Sequence, residues 1–171
     1  MAQIAQDAGV TERTFFRYFP TKEAVLFKDY ESRLRWFEAA LAERPLDEPI
    51  LDSVLIAISS FPDDREVLHQ LAALRDGLSR AAIEGHLRVV QASFARELED
   101  AIRIRLAQEQ PVTVASDSAD RLELTAVVLG NAIAGALLGA LDVWTRRGGT
   151  PDGLEPLTRQ ALDVLRRFPA G

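Results

Sequence analysis

The sequence predicts an all-α fold, and three observations lead to this prediction. Apolar residues recur at spacings of three and four over most of the 171-residue chain, as they do along one face of a helix. β-Branched residues never form the alternating runs that strands need. No glycine-rich phosphate loop follows a strand-like segment. Because 47% of the residues are hydrophobic, we expect a globular chain with a shared core.

The composition excludes several classes of site. The chain has no cysteine, so disulfides and thiolate metal sites are ruled out. His69 and His86 lack the spacing of metal ligands on one helical face. The sequence offers no Ser/His/Asp set, Glu-x-x-His pair or convergent carboxylates. We therefore expect no enzymatic activity, no catalytic residues, no cofactor and no metal.

The charge is unevenly distributed along the chain. The net charge is −6, with 20 Lys/Arg and 26 Asp/Glu. Residues 1–44 carry seven basic and seven acidic residues, which leaves 13 basic and 19 acidic residues in 45–171. A small neutral segment therefore precedes an acidic one, an arrangement that is compatible with nucleic-acid binding by the first segment alone.

The first twenty residues predict two short helices joined by a turn. Residues 2–8 form the first helix, and Gly9 suits the left-handed conformation that ends a helix. Thr11 is a suitable N-cap for the second helix. That helix extends to about Phe19, since Pro20 prevents its continuation. The pattern is a helix-turn-helix.

The rest of the chain predicts further helices. A third helix is expected over 22–44, and Pro45 and Pro49 bracket the break after it. We expect 81–109 to be the longest amphipathic helix, and 110–119 to be a loop. The segment 120–147 is apolar nearly all round. The remaining helices are expected over 50–60, 64–80 and 154–168, the last with its apolar stripe at Leu154, Leu157, Ala161, Leu165 and Phe168.

Residues 4–26, Ile-Ala-Gln-Asp-Ala-Gly-Val-Thr-Glu-Arg-Thr-Phe-Phe-Arg-Tyr-Phe-Pro-Thr-Lys-Glu-Ala-Val-Leu, resemble the signature of the tetracycline-repressor (TetR) family. The Arg-Tyr-Phe-Pro-Thr-Lys-Glu stretch resembles an actinobacterial, mycofactocin-type branch. The resemblance implies a helix-turn-helix head in 1–44 and a helical-bundle effector-binding and dimerisation domain in 45–171. Family members have another helix before the motif. We therefore expect a head that lacks its first helix and is less stable for it.

The recognition helix is expected to place its N-terminal residues in the major groove of operator DNA. Arg13 and Arg17 lie four residues apart, hence on one face, and suit guanine edges or phosphates. Phe16 stands where the family commonly has tyrosine. Lys22 resembles the family's phosphate-binding lysine. The predicted DNA-binding residues are Thr11, Glu12, Arg13, Thr14, Phe16, Arg17, Tyr18 and Lys22.

The apolar helix within 120–147 predicts a homodimer. Small residues along it favour close helix approach: Gly130, Ala134, Gly135 and Gly139. The alternative is a membrane span, since the helix also contains a GxxxG pair. Glu123, Asn131 and Asp142 interrupt such a span, and we expect no membrane association. No positively charged start followed by an apolar stretch is present, so we expect a cytoplasmic protein.

An effector pocket is the least marked feature of the sequence. Its predicted residues are Leu71, Arg75, Phe94 and Asn131, although aliphatic stripes on helices usually serve packing alone. Asn131 is singled out because a buried amide needs partners. The Leu/Phe excess favours an acyl or other lipophilic effector. The sequence thus predicts a ligand-responsive regulator, and specifically a repressor. The alternative is a helical adaptor or dimerisation protein whose head does not bind DNA.

Overall fold

The computed structural model describes residue 11 and residues 22–61, 80–109, 116–148 and 152–167. All regular structure in these residues is helical, which confirms the predicted all-α class. The helices predicted over 2–8, 11–19 and 64–80 lie outside the described residues. The described helices are α1 (Lys22–Ala42), α2 (Ile50–Ser59), α3 (Arg80–Glu109), α4 (Ser116–Arg146) and α5 (Leu154–Arg167).

Two prolines shape the corner between α1 and α2. Pro45 lies beyond the end of α1, which stops at Ala42, two residues before the predicted end. Pro49 is the N-cap residue of α2, with φ −54° and ψ 131°. Its carbonyl accepts hydrogen bonds from the amides of Asp52 and Ser53, at 2.9 and 3.1 Å. Proline suits this position because its fixed φ is compatible with helix entry.

The loop predicted over 110–119 is too long. α4 begins at Ser116, within a stretch of Ser and Asp residues that favour a helix N-terminus by capping and by their negative charge. The polarity that suggested a loop is therefore also the polarity of a helix start. The longest amphipathic helix was predicted over 81–109, where α3 has 30 residues. α4, which was predicted to be apolar nearly all round, has 31.

Helices α3 and α4 form the most extensive contact in the described chain, and α5 packs on α4. α1 packs on α3 and on α2, and α2 also contacts α5, where Arg166 forms an ion pair with Asp52. A single hydrophobic cluster joins all five helices. Its buried members are Phe37, Leu41, Val54, Ala57, Ala95, Leu98, Ile102, Ala126, Ile133, Ala134, Leu137 and Leu162.

The buried side of α5 differs from its predicted stripe. Thr158 and Leu162 are 3% and 1% exposed, whereas Leu154, Leu157, Ala161 and Leu165 are half-buried. The buried side is displaced from the predicted stripe by one residue position, because α5 packs against both α4 and α2. The contacts from two directions, rather than the apolar stripe alone, set the rotation of this helix.

Helix α4 has two apolar sides. Its inner face consists of residues that are all buried: Ala126, Gly130, Ile133, Ala134, Leu137, Ala140 and Trp144. About 180° around the helix is its outer face, which is mostly exposed: Arg121, Leu124, Val128, Asn131, Gly135, Gly139 and Asp142. Among the described residues, Ala119–Arg146 is the one segment long and apolar enough to cross a membrane by length and composition.

Candidate functional site

The predicted DNA-binding residues fall at the edge of the described chain. Thr11 is exposed. Lys22 is the first residue of α1, which agrees with the predicted position at a helix N-terminus. Glu12, Arg13, Thr14, Phe16, Arg17 and Tyr18 lie outside the described residues. Their roles, and that of the Lys22 side chain, stay predictions.

An aromatic contact anchors helix α1 to helix α3. Phe37 and Leu41 are 2% and 4% exposed and belong to the core cluster. The Phe37 ring packs on that of Phe94 in α3, with centroids 5.0 Å apart and planes tilted by 50°. A displacement of Phe94 would therefore act directly on α1, because closely packed interiors transmit strain.

A second contact holds α1 against the end of α2. The indole of Trp36 packs edge-on against Phe61, with centroids 6.0 Å apart. Its Nε1 donates a hydrogen bond to the Ser60 hydroxyl at 3.2 Å. The Arg33 guanidinium lies 4.4 Å from the centroid of the same Phe61 ring, in cation–π range. Together these contacts fix the angle between α1 and the segment that follows α2.

A polar network joins the end of α1 to α2 and α3. Arg44 donates two hydrogen bonds to the Glu48 carboxylate, at 2.9 and 2.5 Å. The Ser53 hydroxyl donates to the same carboxylate at 2.6 Å. Arg105 in turn donates to the Ser53 hydroxyl at 3.1 Å and to the Ala101 carbonyl at 3.2 Å. Ser53 thus links a carboxylate and a guanidinium 57 positions apart in sequence.

The network is buried at Ser53 and Arg105 and half-buried at Arg44 and Glu48. Ser53 is fully buried, and Arg105 is 8% exposed. The hydrogen bonds from Arg44 and then from Ser53 lower the pKa of Glu48 to about 2. Burial lowers the pKa of Arg105, and the charge of Glu48 opposes this shift. The Arg105 Nε is buried and has no hydrogen-bond partner among the described residues.

Sequence reasoning missed this network. Its only local signal is an arginine close to the helical stripe that contains Leu98 and Ile102. The partners of Arg105 come from another helix, so no spacing within α3 predicts them.

Only two of the four predicted effector residues, Phe94 and Asn131, lie in the described chain. Leu71 and Arg75 lie outside the described residues. Phe94 is half-buried against the core cluster. Asn131 is exposed, and its amide donates to Glu99 Oε1 at 3.0 Å and to the Val127 carbonyl at 2.9 Å. The expectation of a buried amide is therefore wrong for the described chain: Asn131 stays exposed even though its amide bonds to Glu99 of the neighbouring helix α3.

The small residues of α4 fall into two groups. A Cβ on Gly130 would lie 2.8 Å from Glu99 Cγ and 2.9 Å from the Ala95 carbonyl oxygen, so this glycine permits the close crossing of α3 and α4. A Cβ on Gly135 would meet, among the described residues, only Gln91 Nε2 at 3.7 Å. A Cβ on Gly139 would meet no described atom within 4 Å. The first contact is internal, and the latter two positions are open.

The comparisons with known proteins concern the start of the chain. Residues 1–28 match the family model of the bacterial regulatory proteins of the tetR family. No curated protein matches the chain. The matched residues include the whole stretch 4–26 that resembles this family's signature, and they end inside α1. Residues 1–28 are therefore similar to the amino-terminal segment of tetR-family bacterial regulatory proteins, which supports a DNA-binding transcriptional regulator.

Proposed function

We propose that the chain is a cytoplasmic, ligand-responsive transcriptional repressor that binds operator DNA as a homodimer. The observation that carries this proposal is the tetR-family match over 1–28, which ends within a helix anchored in the body's core. The head comprises residues 1–44, and the effector-binding and dimerisation domain comprises 45–171. The stretch 17–23 supports a place in the actinobacterial, mycofactocin-type branch.

The DNA contacts are proposed to follow the helix-turn-helix pattern. Arg13 and Arg17 read guanine edges or contact phosphates from one face of the recognition helix. Lys22 opens α1, where the free amides and the helix dipole favour a phosphate. Thr11, Glu12, Thr14, Phe16 and Tyr18 complete the proposed contact surface.

The outer face of α4 supports the homodimer. Leu124 and Val128 on this face are 64% and 55% exposed. Elsewhere on α4 Leu129 is 40% exposed, and on the neighbouring α5 Val164 is 52% exposed. A run of exposed apolar side chains on adjacent helices is typical of an association surface. A dimer places two recognition helices about 34–36 Å apart, the spacing of successive major grooves.

The contact between Phe37 and Phe94 supports a route for effector response. A lipophilic effector that packs beside Phe94, with Leu71 and Arg75 as further contacts, displaces Phe37 and with it α1. Because α1 directly follows the proposed recognition helix within the head, its angle changes the spacing of the two recognition helices. The effector then lowers operator affinity by its differential affinity for the two spacings.

Operator binding is tested with three variants of the full chain. Lys22→Ala removes a proposed phosphate contact, so it should weaken binding to all sequences alike and reduce the salt slope by about one. Arg17→Ala should also weaken the preference for the operator over random DNA, because this side chain is proposed to reach a base edge. Arg96→Ala removes the same charge from an exposed position on α3 and serves as the control.

The measurement is fluorescence anisotropy on genomic fragments at several salt concentrations. An unchanged affinity and salt slope in Lys22→Ala would refute the proposed phosphate contact. A folded dimer without sequence-dependent binding would refute the repressor and support a helical adaptor. Release of bound operator by a medium-chain fatty acid, with loss of that response in Phe94→Leu, is the result expected of the effector route. No release by any chain length would contradict the lipophilic effector.

A further inference from the structure

The outer face of α4 has an internal symmetry. Its residues lie within a sector of about 80° around the helix axis. The bulky apolar residues, Leu124 and Val128, stand in its first half. The two open glycines, Gly135 and Gly139, stand in its second half. Each glycine is as far from the point between Asn131 and Ala132 as one bulky residue is on the other side.

From this arrangement we infer that a second copy of the chain packs its α4 antiparallel on this one, with the two-fold axis between Asn131 and Ala132. The inference rests on the proposed homodimer and specifies its register. In this register Leu124 of one copy lies opposite Gly139 of the other. Val128 likewise lies opposite Gly135. The two-fold axis repeats both contacts, so four bulky side chains meet four open glycines.

The sterics of the single chain favour this packing. Leu124 and Val128 are 64% and 55% exposed, so each projects from the surface. No described atom lies within 4 Å of a Cβ on Gly139, and the nearest to a Cβ on Gly135 is 3.7 Å away. The glycines therefore leave space that the described residues of their own chain do not fill. Large residues opposite small ones give the interdigitation found in close-packed helix pairs.

The charges of the outer face agree with the same register. Arg121 and Asp142 stand at its two ends, equally distant from the central point. In the antiparallel pair, Arg121 of one copy lies opposite Asp142 of the other, at both ends. Asp142 also pairs with Arg146 of its own chain at 2.8 Å. A parallel pair would instead oppose like charges, stack leucine on leucine and leave the glycines facing each other.

Engineered cysteines test the register, and the chain has no native cysteine that would interfere. Val128→Cys and Gly135→Cys are made separately, with different affinity tags, and then mixed, exchanged and oxidised. In the inferred register the two positions face each other, so the mixture should form a disulfide between differently tagged chains. Each variant alone should not, because its two cysteines lie about 10 Å apart along the axis, beyond disulfide reach.

The control for nonspecific oxidation is Ile104→Cys on α3, since Ile104 is 54% exposed and Val128 is 55% exposed. It should crosslink with neither variant. Disulfides within each single variant would show a parallel pair and overturn the inference. A dimeric mass by light scattering without the mixed disulfide would overturn the register and leave the homodimer intact. A monomeric wild-type chain would overturn the homodimer itself.

A charge exchange gives an independent measurement. Arg121→Asp should raise the dimer dissociation constant on the order of threefold for each of the two exposed pairs. Asp142→Arg should do the same, and the double variant should return most of the affinity, because the opposed charges are exchanged on both copies. Circular dichroism checks that each variant is folded. Equal or greater loss in the double variant would contradict the antiparallel register.

Discussion

The inner and outer faces of α4 differ in burial, and charged or amide residues occur only on the outer face. Both combine aliphatic residues with glycines along the same helix. The inner face is packed on α3 and α5, and Ile133 is 1% exposed. The outer face leaves Leu124 64% exposed. An apolar face is expected to be buried, but its sequence does not say which surface will cover it. The inner face is covered within its own chain, and we propose that the outer face is covered within a dimer.

The largest expected effect separates the two faces by truncation. Ile133→Ala should lower the free energy of unfolding by about 2–5 kcal/mol, because it leaves a cavity in the core. Leu124→Ala should change it by no more than about 0.5 kcal/mol in the isolated chain, since that side chain is exposed. If the dimer forms as proposed, Leu124→Ala should instead raise its dissociation constant about tenfold or more.

Urea unfolding at several subunit concentrations separates folding from association in these two variants. Equal destabilisation of the monomer by Leu124→Ala and Ile133→Ala would contradict the proposed difference between the faces, because it would mean that the outer face also packs within its own chain.

The second prediction uses the glycines of the two faces. Gly130→Ala should destabilise folding, because its Cβ would lie 2.9 Å from a backbone oxygen that cannot move aside easily. We expect an overpacking cost of about 1–3 kcal/mol, reduced by the better helix propensity of alanine, about 1 kcal/mol. Gly135→Ala makes only an ordinary contact and should stabilise the isolated chain by about 0.5–1 kcal/mol.

Thermal unfolding of the two alanine variants measures this difference. The change in the free energy of unfolding should have opposite signs in the two variants. A gain in stability for Gly130→Ala would show that α3 and α4 separate without cost, and the close crossing would then have no energetic role.

The third prediction concerns Glu48 and the polar network that joins the end of α1 to α2 and α3. Its pKa is lowered from 4.5 to about 2 in the folded chain. The unfolded chain therefore binds more protons in this range, and the stabilising contribution is present above pH 4.5 and is lost as the pH falls towards 2. Glu48→Gln should lose this part of the pH dependence and be less stable at neutral pH.

Acid titration followed by circular dichroism, with Glu43→Gln as the matched control at an exposed glutamate, isolates the contribution of Glu48. Identical acid-induced profiles for wild type and Glu48→Gln would contradict the role of the network.

The smallest expected effect lies at the exposed rim between the faces. Arg103 of α3 donates to Glu123 of α4 at 3.0 and 3.1 Å and also pairs with Asp100. Because the three side chains are solvent-exposed, Arg103→Ala should cost only about 0–1 kcal/mol, and less at high salt. Denaturation at two ionic strengths measures this. A loss comparable to that of Ile133→Ala would mean that the rim, rather than the inner face, joins α3 to α4.

The helices α1, α2, α3 and α5 were predictable because their signals are local. A cap, a turn glycine, a breaking proline and a periodic stripe act over about four residues, which one sequence displays in full. The stretch 4–26 was recognised on such signals, and the family match over 1–28 agrees with it. The start of α4 was misplaced because Ser and Asp residues are typical both of loops and of helix N-termini.

The contacts between helices were not predictable in the same way. Gly130 lies close to Glu99 of α3, and Arg105 donates a hydrogen bond to Ser53, 52 positions away in sequence. Asn131 was expected to be buried and is exposed, since nothing in its own helix states which side meets α3. The buried side of α5 was likewise rotated from its apolar stripe.

The sequence by itself determined that this protein is helical, where most of its described helices begin and end, and that residues 4–26 resemble the tetR-family signature. Only the tertiary structure decided which apolar face of α4 is internal, which of its glycines are open, and how α1 is fixed to the body. The physical reason is the range of the interactions. Backbone hydrogen bonds and caps act within one or two turns, whereas packing and buried polar pairs depend on residues that the fold brings together from distant segments.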